Sequence, residues 1–296
     1  MCGIAGAVNL TNHSPMAVED IRRMTETIVH RGPDDTDTYV DGRIALGHRR
    51  LIILDLTSQG RQPMFDQSKR AGLVYNGEIY NYLELRKELE ALGHSFRSNT
   101  DTEVVLNSYL EYGIDCLSRF NGMFAFALYD REQGRTFVAR DRIGIKPVYY
   151  AEIDGRLVFG SEIKVILEYP GFRPRPNLTG ISSYLSYRYP IGDHTLFENI
   201  HSLLPGHYLE IASDRVNRRQ YWDLPVIEEH EDRGEIFYVE TVRTLLESSV
   251  RLRMRSDVPL GAYLSGGLDS SVIVALMSRF SDDPIKTFTI GFAEEG

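Results

Sequence analysis

The order of apolar and polar residues predicts many short strands with amphipathic helices before and between them. Continuous apolar runs indicate strands, and the run at 123–129 is apolar throughout, which predicts a strand buried on both faces. Apolar side chains at three- and four-residue spacing indicate helices. This alternation predicts layered sheets covered by helices, which is an α+β fold. The predicted strands are 3–8, 44–54, 72–74, 123–129, 136–139, 148–151, 157–159 and, after a turn, 204–211; the predicted helices are 20–30, 82–92, 100–109, 162–167 and 180–187.

A change in composition predicts a boundary between two domains. Residues 224–234 are rich in Pro, Glu, Asp and Arg and contain few apolar residues. We therefore expect a linker at 223–234, between a first domain at 1–222 and a second at 235–296. The chain ends early in that second domain, so we expect the sequence to be a fragment.

The second domain begins with a pattern typical of the phosphate-binding half of a parallel α/β unit. A helix is predicted at 239–252, then a strand at 258–264, a turn at 265–271 that reads Ser-Gly-Gly-Leu-Asp-Ser-Ser, a helix, and a strand at 286–292. The two glycines let backbone N–H groups approach an anion, the serines add hydroxyl donors, and the helix N-terminus adds its positive dipole end. No lysine follows the glycines, so the turn is not a Walker A loop. The pattern predicts a binding loop for phosphate groups.

Composition changes this picture mainly by exclusion. The 296 residues include 33 Lys and Arg against 42 Asp and Glu, a net charge of −9 without a basic run, which argues against nucleic-acid binding. No apolar run approaches the ~20 residues of a membrane span. The two cysteines, Cys2 and Cys116, do not make a disulfide framework, and we expect a reducing, cytoplasmic location.

Cys2 offers chemistry that an internal cysteine cannot. Once Met1 is removed, a thiol and a free α-amine belong to one residue. A free thiol has a pKa near ~8.5 and is mostly protonated at neutral pH, whereas an α-amine titrates near ~7.7 and can accept the thiol proton. Nucleophile and general base would then lie in one residue. The alternative is a small side chain that packs at the start of the first strand.

Two arginines stand inside the apolar pattern of the predicted strand at 44–54. A buried arginine without a partner is costly, so Arg49 and Arg50 require an explanation. We expect one of them to lie on a solvated face. The other is a candidate to bind a carboxylate through two parallel hydrogen bonds.

Two further polar groups stand between predicted elements. Asn76-Gly77 follows a strand and precedes a helix, and such a pair alone indicates a turn, but its flanking tyrosines and Glu78 are more than a turn requires. Thr100 and Glu103 match a capping box at the start of a helix. Asp101 between them is either a first-turn carboxylate that favours the helix dipole or a site residue.

Four short motifs resemble those of class II glutamine amidotransferases: Met-Cys-Gly-Ile at 1–4, His-Arg-Gly-Pro-Asp at 30–34, Tyr-Asn-Gly-Glu-Ile-Tyr-Asn at 75–81 and Gly-Met-Phe-Ala-Phe at 122–126. Such domains are N-terminal nucleophile hydrolases, which implies a four-layer αββα sandwich. The turn at 265–271 resembles the pyrophosphate loop of ATP pyrophosphatases, which implies the beginning of a Rossmann-like α/β domain. In this order the motifs resemble the glutamine-hydrolysing asparagine synthetase family. The resemblance covers essentially the whole chain.

The resemblance implies roles in catalysis for residues at matching positions. Cys2 would attack the side-chain amide of glutamine, release ammonia and leave a glutamyl thioester that water hydrolyses. Asn76 and the backbone N–H of Gly77 would form the oxyanion hole for the tetrahedral intermediate.

The resemblance also implies how substrates are bound. The family's arginine directly precedes the stretch at 51–54, which selects Arg50 rather than Arg49 for the α-carboxylate of glutamine, while Glu78 and Asp101 would hold its α-ammonium. The implied glutamine-site residues are Cys2, Arg50, Ile53, Asn76, Gly77, Glu78 and Asp101. The implied ATP-site residues are Leu264, Ser265, Gly266, Gly267, Asp269, Ser270, Ser271 and Ile290, of which Leu264 and Ile290 would flank the adenosine. We expect Mg²⁺ to accompany ATP.

The acceptor of the ammonia stays open at this stage. The first hypothesis is ATP-dependent formation of β-aspartyl-AMP from aspartate, which ammonia converts to asparagine. The second is a different carboxylate, such as a sugar acid or an antibiotic precursor, because the family's acceptor motif lies beyond residue 296. A non-catalytic binding module is a third reading, which the presence of Cys2 and of Asn76-Gly77 disfavours. We expect small-molecule substrates, a homodimer, and glutamine hydrolysis by residues 1–296 without ATP.

Overall fold

The computed structural model describes residues 1–11, 15–226 and 232–291. Contacts divide the chain into two compact units, Met1–Leu224 and Pro225–Gly296. Part of the predicted linker and the end of the predicted last strand lie outside the described residues.

The first unit contains, within the described residues, two six-stranded sheets. Its strands in chain order are β1 (Gly3–Asn9), β2 (Asp35–Asp41), β3 (Ile44–Arg50), β4 (Met64–Phe65), β5 (Ala71–Ile79), β6 (Gly122–Asp130), β7 (Arg135–Arg140), β8 (Tyr149–Ile153), β9 (Arg156–Gly160), β10 (His201–Ser202), β11 (His207–Ala212) and β12 (Arg215–Gln220). The first sheet has the order β10-β8-β9-β1-β3-β2 and the second the order β12-β11-β7-β6-β5-β4. The paired strands of both sheets are antiparallel.

Helices cover the outer faces of both sheets. The helices are α1 (Val18–Glu26), α2 (Tyr82–Ala91), α3 (Asp101–Tyr112), α4 (Ile163–Leu167) and α5 (Leu178–Tyr187), with 3₁₀ segments at Val29–Arg31, Ser58–Gly60 and Gly113–Arg119. Helices α1 and α4 pack on the first sheet, where Ile21 of α1 and Val165 of α4 belong to one core cluster with Ala5 of β1. Helices α2 and α3 pack on the second sheet, where Leu89 and Val105 share a cluster with Leu73.

A central apolar layer joins the two sheets face to face. Ile4 and Val8 of β1 belong to one cluster with Ala127 of β6, whereas the intervening Ala5 and Ala7 face the helices. This alternation follows from the two-residue repeat of a strand. The order helix, sheet, sheet, helix is the predicted αββα sandwich.

The strand predicted at 44–54 ends at Arg50, and the expectation of a solvated arginine was wrong. Arg49 and Arg50 are 7% and 5% exposed. Arg49 is buried because its guanidinium forms an ion pair with Glu26 of α1. A paired guanidinium can be covered at much lower cost than an unpaired one.

The strand predicted at 72–74 extends further than expected and includes Asn76-Gly77, which was predicted to follow it. Strand β5 continues to Ile79, and Asn76 and Gly77 pair with Ala125 and Phe124 of β6. Backbone pairing with β6 thus keeps this stretch extended as part of the sheet. The capping box is half formed: the Thr100 hydroxyl accepts from Glu103 N, but the Glu103 carboxylate accepts instead from the backbone N–H groups of residues 97 and 98.

The second unit contains α6 (Glu235–Arg253), β13 (Gly261–Tyr263), α7 (Leu268–Arg279) and β14 (Lys286–Phe288). Strands β13 and β14 pair in parallel, with Ala262 opposite Thr287. Arg279 of α7 forms an ion pair with Glu247 of α6 at 2.8 Å. The predicted strand, turn, helix and strand are therefore present, with both strands shorter than predicted.

Candidate active site in the first unit

A pocket in the first unit contains Cys2. All seven residues predicted for glutamine line it: Cys2, Arg50, Ile53, Asn76, Gly77, Glu78 and Asp101. The other lining residues are Met1, Leu51, Leu54, Gly60, Gln62, Tyr75, Thr100, Thr102 and Lys146. The pocket has a volume of about 540 Å³, which includes the space that is open to solvent.

The predicted residues meet because four elements end or pass at this pocket. Cys2 directly precedes β1, and Arg50 is the last residue of the neighbouring β3. The register that places Gly3 opposite Arg49 brings these two ends together. Asn76, Gly77 and Glu78 belong to β5 of the second sheet, and Asp101 is the first residue of α3.

The half-buried Cys2 thiol lies against Leu51, the residue that follows β3. Leu51 N–H donates to Sγ at 3.4 Å, and the Leu51 carbonyl oxygen lies 3.7 Å from Sγ. Burial raises the pKa of the Cys2 thiol, and the bond from Leu51 opposes this effect. Such a thiol needs a base to become a nucleophile.

The pKa of the N-terminal amine is lowered. Burial lowers the pKa of the amine of Met1, and the charges of Arg31 and Lys146 lower it further, whereas Cys2 and Asp34 raise it. After removal of Met1 the amine would belong to Cys2 itself. A neutral amine beside a thiol can accept its proton.

Asn76 and Gly77 supply features suited to an oxyanion. Asn76 is 1% exposed, and its Nδ2 has no hydrogen-bond partner among the residues that the structure describes. A buried donor without a partner is costly, so this amide group is available to a ligand atom in the pocket. A Cβ on Gly77 would lie 2.4 Å from the Met123 carbonyl oxygen, so only glycine fits there.

Asp101 is a buried carboxyl group that accepts several hydrogen bonds. The Tyr75 hydroxyl and the Ile79 N–H both donate to its Oδ2, at 2.7 and 2.9 Å. Burial raises the pKa of Asp101 to about 6, the two bonds oppose that shift, and the charge of Glu78 adds to it. The carboxyl group is therefore ionised above pH 6, where it can hold an ammonium group together with Glu78.

Arg50 is fixed by backbone carbonyl groups. Nη1 donates to the Thr57 oxygen at 3.0 Å, and Nη2 donates to the oxygens of Leu54 and Asp55 at 3.2 and 2.7 Å. A Cβ on Gly60 would lie 2.1 Å from Nη2, so glycine makes room for the guanidinium. Arg50 thus faces the pocket as a positioned cation, whereas Arg49 lies against α1.

Two cations of the site were not assigned by sequence reasoning. Arg31 Nε donates to the Cys2 carbonyl oxygen at 2.9 Å, and Nη1 donates to Glu162 at 3.0 Å. Arg31 belongs to the motif at 30–34 that the sequence analysis singled out, but no role was assigned to it there. Lys146, which is 5% exposed, had no signal beyond a charge between apolar residues.

The predicted phosphate loop surrounds the N-terminus of α7 in the second unit. Gly266 has a φ of +82°, a left-handed conformation that favours glycine, and Gly267 precedes the first helical residue. Ser270 Oγ lies 3.1 Å from Ser265 Oγ, and Ser271 Oγ donates to the Gly267 oxygen at 2.8 Å. Leu264, Asp269 and Ile290 lie at the loop start, in the first helical turn and after β14.

Neither a metal centre nor a membrane span is found in the described parts of the chain. Across 1–11, 15–226 and 232–291, no group of three His, Cys, Asp or Glu side chains is placed to hold a metal ion. Asp269, in the first turn of α7, is the carboxylate of residues 265–271 that would bind Mg²⁺ accompanying ATP, together with phosphate oxygens. None of the described helices is long and apolar enough to cross a membrane.

Comparison with known families identifies two matching regions. Residues 1–222 match a family described as a glutamine amidotransferase domain. Residues 241–296 match a family described as asparagine synthase.

Curated relatives match almost the whole chain. Asparagine synthetase 3 (glutamine-hydrolyzing) of Bacillus subtilis is 39% identical over 99% of this chain and 48% of its own length. Putative asparagine synthetase 2 of Methanocaldococcus jannaschii is 38% identical over 99% of this chain and 60% of its own length. Amidase chyE of Penicillium rubens is 36% identical over 94% of this chain and 43% of its own length. The chain thus spans about half the length of these relatives.

A solved structure supports the fold. Glutamine phosphoribosylpyrophosphate amidotransferase from B. subtilis, complexed with ADP and GMP, has a TM-score of 0.56 to this chain at 16% identity. The alignment covers 97% of this chain and 65% of that chain. This similarity concerns the fold alone and agrees with the predicted sandwich.

Proposed function

The chain belongs to the glutamine amidotransferase domain family, and from this membership we propose that its first unit hydrolyses glutamine to glutamate and ammonia. One observation carries the proposal: Asn76 Nδ2, a buried donor without a partner among the described residues, lines the same pocket as the Cys2 thiol. Nucleophile and oxyanion donor are the two groups that amide hydrolysis requires.

The N-terminal residue carries out the proton transfers. The neutral α-amine of Cys2 accepts the thiol proton while Sγ bonds to the side-chain carbonyl carbon of glutamine. The carbonyl oxygen becomes an oxyanion, which Asn76 Nδ2 and the Gly77 N–H stabilise. The intermediate then collapses, the C–N bond breaks, and the α-ammonium group of Cys2 gives its proton to the departing NH₂ group, which leaves as ammonia. Water attacks the resulting thioester with the amine as base, releases glutamate and restores the thiol.

Charged groups around the pocket bind the unreacting end of glutamine. The positioned guanidinium of Arg50 binds the α-carboxylate. Glu78 and Asp101 bind the α-ammonium, and Ile53 forms an apolar wall. None of these contacts changes during the reaction, so they contribute to binding rather than to the chemical step.

For the whole protein we propose ATP-dependent transfer of the ammonia to aspartate. ATP would bind at the loop 265–271 and convert the aspartate side chain to β-aspartyl-AMP with release of pyrophosphate. Ammonia would then displace AMP and give asparagine. The names of the B. subtilis and M. jannaschii relatives and the match of residues 241–296 support this acceptor.

A different carboxylate acceptor is the second candidate. The relative named amidase chyE has 36% identity, close to that of the named synthetases, so similarity in this part of the chain favours neither acceptor strongly. Incubation of the whole protein with glutamine, ATP and aspartate decides between them. Asparagine, AMP and pyrophosphate in equal amounts support aspartate, whereas glutamine hydrolysis without asparagine favours another acceptor.

The glutaminase proposal is tested by measuring glutamate release by residues 1–296 with Met1 removed. We expect Cys2→Ala to abolish release and Cys116→Ala to retain it, because Cys116 lies in the apolar core and does not line the pocket. In the whole protein, Cys2→Ala should still allow synthesis from free ammonia. Glutamate release by Cys2→Ala at the wild-type rate would overturn the proposal.

A further inference from the structure

Lys146 is a buried cation of the pocket to which the hydrolysis scheme assigns no step. It is 5% exposed, and its Nζ lies 3.3 Å from Met1 Sδ. Within 1–11, 15–226 and 232–291 it forms no salt bridge. An ammonium group buried without an ion pair is costly, so its position in this pocket calls for a role.

The loop that carries Lys146 is built to hold it at the site. The buried Asp141 carboxylate accepts from the backbone N–H groups of Phe124, Ile145 and Lys146, at 3.1, 2.9 and 2.9 Å. Arg140 Nε donates to the Lys146 carbonyl oxygen at 2.9 Å. The loop is thereby fixed to β6 at Phe124.

Phe124 is also the residue opposite Gly77 in the sheet. The Lys146 backbone and the oxyanion strand β5 are therefore both attached to one position of β6. This shared attachment gives the ammonium group a defined place relative to the reacting atoms.

Charges of both signs act on the N-terminal residue. The cations are Arg31, Arg50 and Lys146, and the acidic groups that act on the amine or the thiol are Asp34 and Asp101. Burial lowers the pKa of Lys146, Arg31 also lowers it, and Glu78, Cys2 and Asp141 raise it.

Two of the three cations have other partners during the reaction. Arg31 is paired with Glu162 at 3.0 Å. In the proposed scheme Arg50 binds the substrate carboxylate. Lys146 is then the cation whose charge is not neutralised by an ion pair in the described site.

We infer that Lys146 is a positioning residue for glutamine hydrolysis. Its fixed charge favours the state of Cys2 in which the α-amine is neutral rather than protonated. The inference rests on the proposed function. A positive charge disfavours an ammonium group nearby, so the α-amine stays neutral and accepts the thiol proton. The same charge stabilises the thiolate as it forms.

The test is the pH dependence of kcat at saturating glutamine, for residues 1–296 with removal of Met1 verified by intact mass. Saturation keeps Asp101 paired with the substrate, so the acid limb reports the amine–thiol pair. The variants are Lys146→Met, which keeps the length without the charge, Lys146→Arg, which keeps the charge, and Lys87→Met as an exposed control. If circular dichroism shows that Lys146→Met is unfolded, Lys146→Gln replaces it.

We expect the midpoint of the acid limb to rise by roughly one pH unit in Lys146→Met, as for loss of one unit charge that lines the same pocket. On that limb the rate falls about tenfold, and the plateau at high pH is retained. Lys146→Arg and Lys87→Met should follow the wild type. Lys146→Met should be at least as stable as the wild type, because no charge is then buried.

The inference is overturned if the Lys146→Met profile superimposes on that of the wild type, or if Lys146→Arg moves as far as Lys146→Met. Failure of the proposed function itself is detected separately, by measuring glutamine hydrolysis by Cys2→Ala. A Cys2→Ala chain that still hydrolyses glutamine contradicts the nucleophile, whatever Lys146 does.

Discussion

The hydroxyl of Tyr75 donates to Oδ2 of Asp101 at 2.7 Å, and both side chains are buried. Burial raises the pKa of Asp101 to about 6, and the bond from Tyr75 acts in the opposite direction. The carboxyl group that we propose to bind the α-ammonium of glutamine therefore changes charge at mildly acidic pH.

This relationship predicts an acid limb in kcat/KM. As the pH falls through about 6, Asp101 takes up a proton in the free enzyme, and kcat/KM for glutamine should fall. Asp101→Asn should lower kcat/KM and remove the fall centred near pH 6, leaving the fall that protonation of the α-amine causes. Tyr75→Phe should move the fall near pH 6 to higher pH, because a bond that favours the ionised form is lost. An unchanged limb in Asp101→Asn would contradict the assignment.

The same pKa has a consequence for stability. Because the folded-state pKa of Asp101 lies above its ordinary value, the folded state binds the proton more tightly. The contribution of this residue to the free energy of unfolding therefore decreases as the pH rises from about 4 to about 6. Asp101→Asn should remove this decrease, which thermal unfolding at several pH values measures.

Arg50→Ala should raise KM for glutamine more than it lowers kcat. The guanidinium contacts a carboxylate that does not react, and its loss should cost about 2–4 kcal/mol of binding, or roughly 30- to 1000-fold in KM. Arg49→Ala is the matched control, because Arg49 is paired with Glu26 and does not line the pocket. A large rise in KM for Arg49→Ala, with none for Arg50→Ala, would show that the wrong arginine was chosen.

Asn76→Ala should lower kcat by about 10²- to 10³-fold with little change in KM, as for loss of one oxyanion donor. Asn107→Ala is a suitable control. Its Nδ2 is also buried without a partner among the described residues, but it lies outside the pocket. Steady-state kinetics of both variants make the comparison. A rise in KM at constant kcat for Asn76→Ala would instead indicate a contact with the ground state.

Much of the fold could be predicted because buried strands are apolar. The four strands that the sequence pattern missed, β2, β4, β10 and β12, are the edge strands of the two sheets. Strand β12 reads Arg-Val-Asn-Arg-Arg-Gln and β10 has two residues, so neither carries an apolar signal. Polar or short edges protect a sheet from pairing with other chains, and the same property hides them from pattern analysis.

The lining of the pocket was predictable where residues belong to motifs and unpredictable where long-range contacts decide. Cys2 and Asp101 belong to recognisable motifs. Arg49 is buried because α1 brings Glu26 to it, a contact between distant parts of the chain. Lys146 reaches the pocket only because Asp141 attaches its loop to β6, and no local pattern reveals such an attachment.

Glu162 pairs with Arg31, whose Nε donates to the Cys2 carbonyl oxygen, so Glu162 helps to hold the N-terminal residue in place. Burial alone would raise the pKa of Glu162, but hydrogen bonds from Lys164, Arg31 and His30 lower it to about 2. A lowered folded-state pKa stabilises the protein above about pH 4.5, and this contribution is lost as the pH falls toward 2.

Glu162→Gln should therefore lower the free energy of unfolding at pH 7 by about 1–2 kcal/mol, since the side chain is partly exposed. The difference from the wild type should shrink as the pH is lowered from 4.5 toward 2. Glu168→Gln, which changes a surface carboxylate paired with Arg23, is the control. A difference that does not depend on pH would contradict the ion-pair explanation.

The central claim is that the Cys2 thiol attacks the side-chain carbonyl carbon of glutamine in this pocket. It is tested most directly by peptide mass spectrometry after incubation with a glutamine analogue in which a diazoketone replaces the side-chain amide. The diazo carbon takes up the proton that the α-amine has accepted from the thiol, and the thiolate then displaces N₂ from that carbon to leave a stable thioether. We predict one adduct per chain, on Cys2, prevented by excess glutamine and formed at the same time as glutaminase activity is lost. An adduct on Cys116, or loss of activity with Cys2 unmodified, would contradict the account.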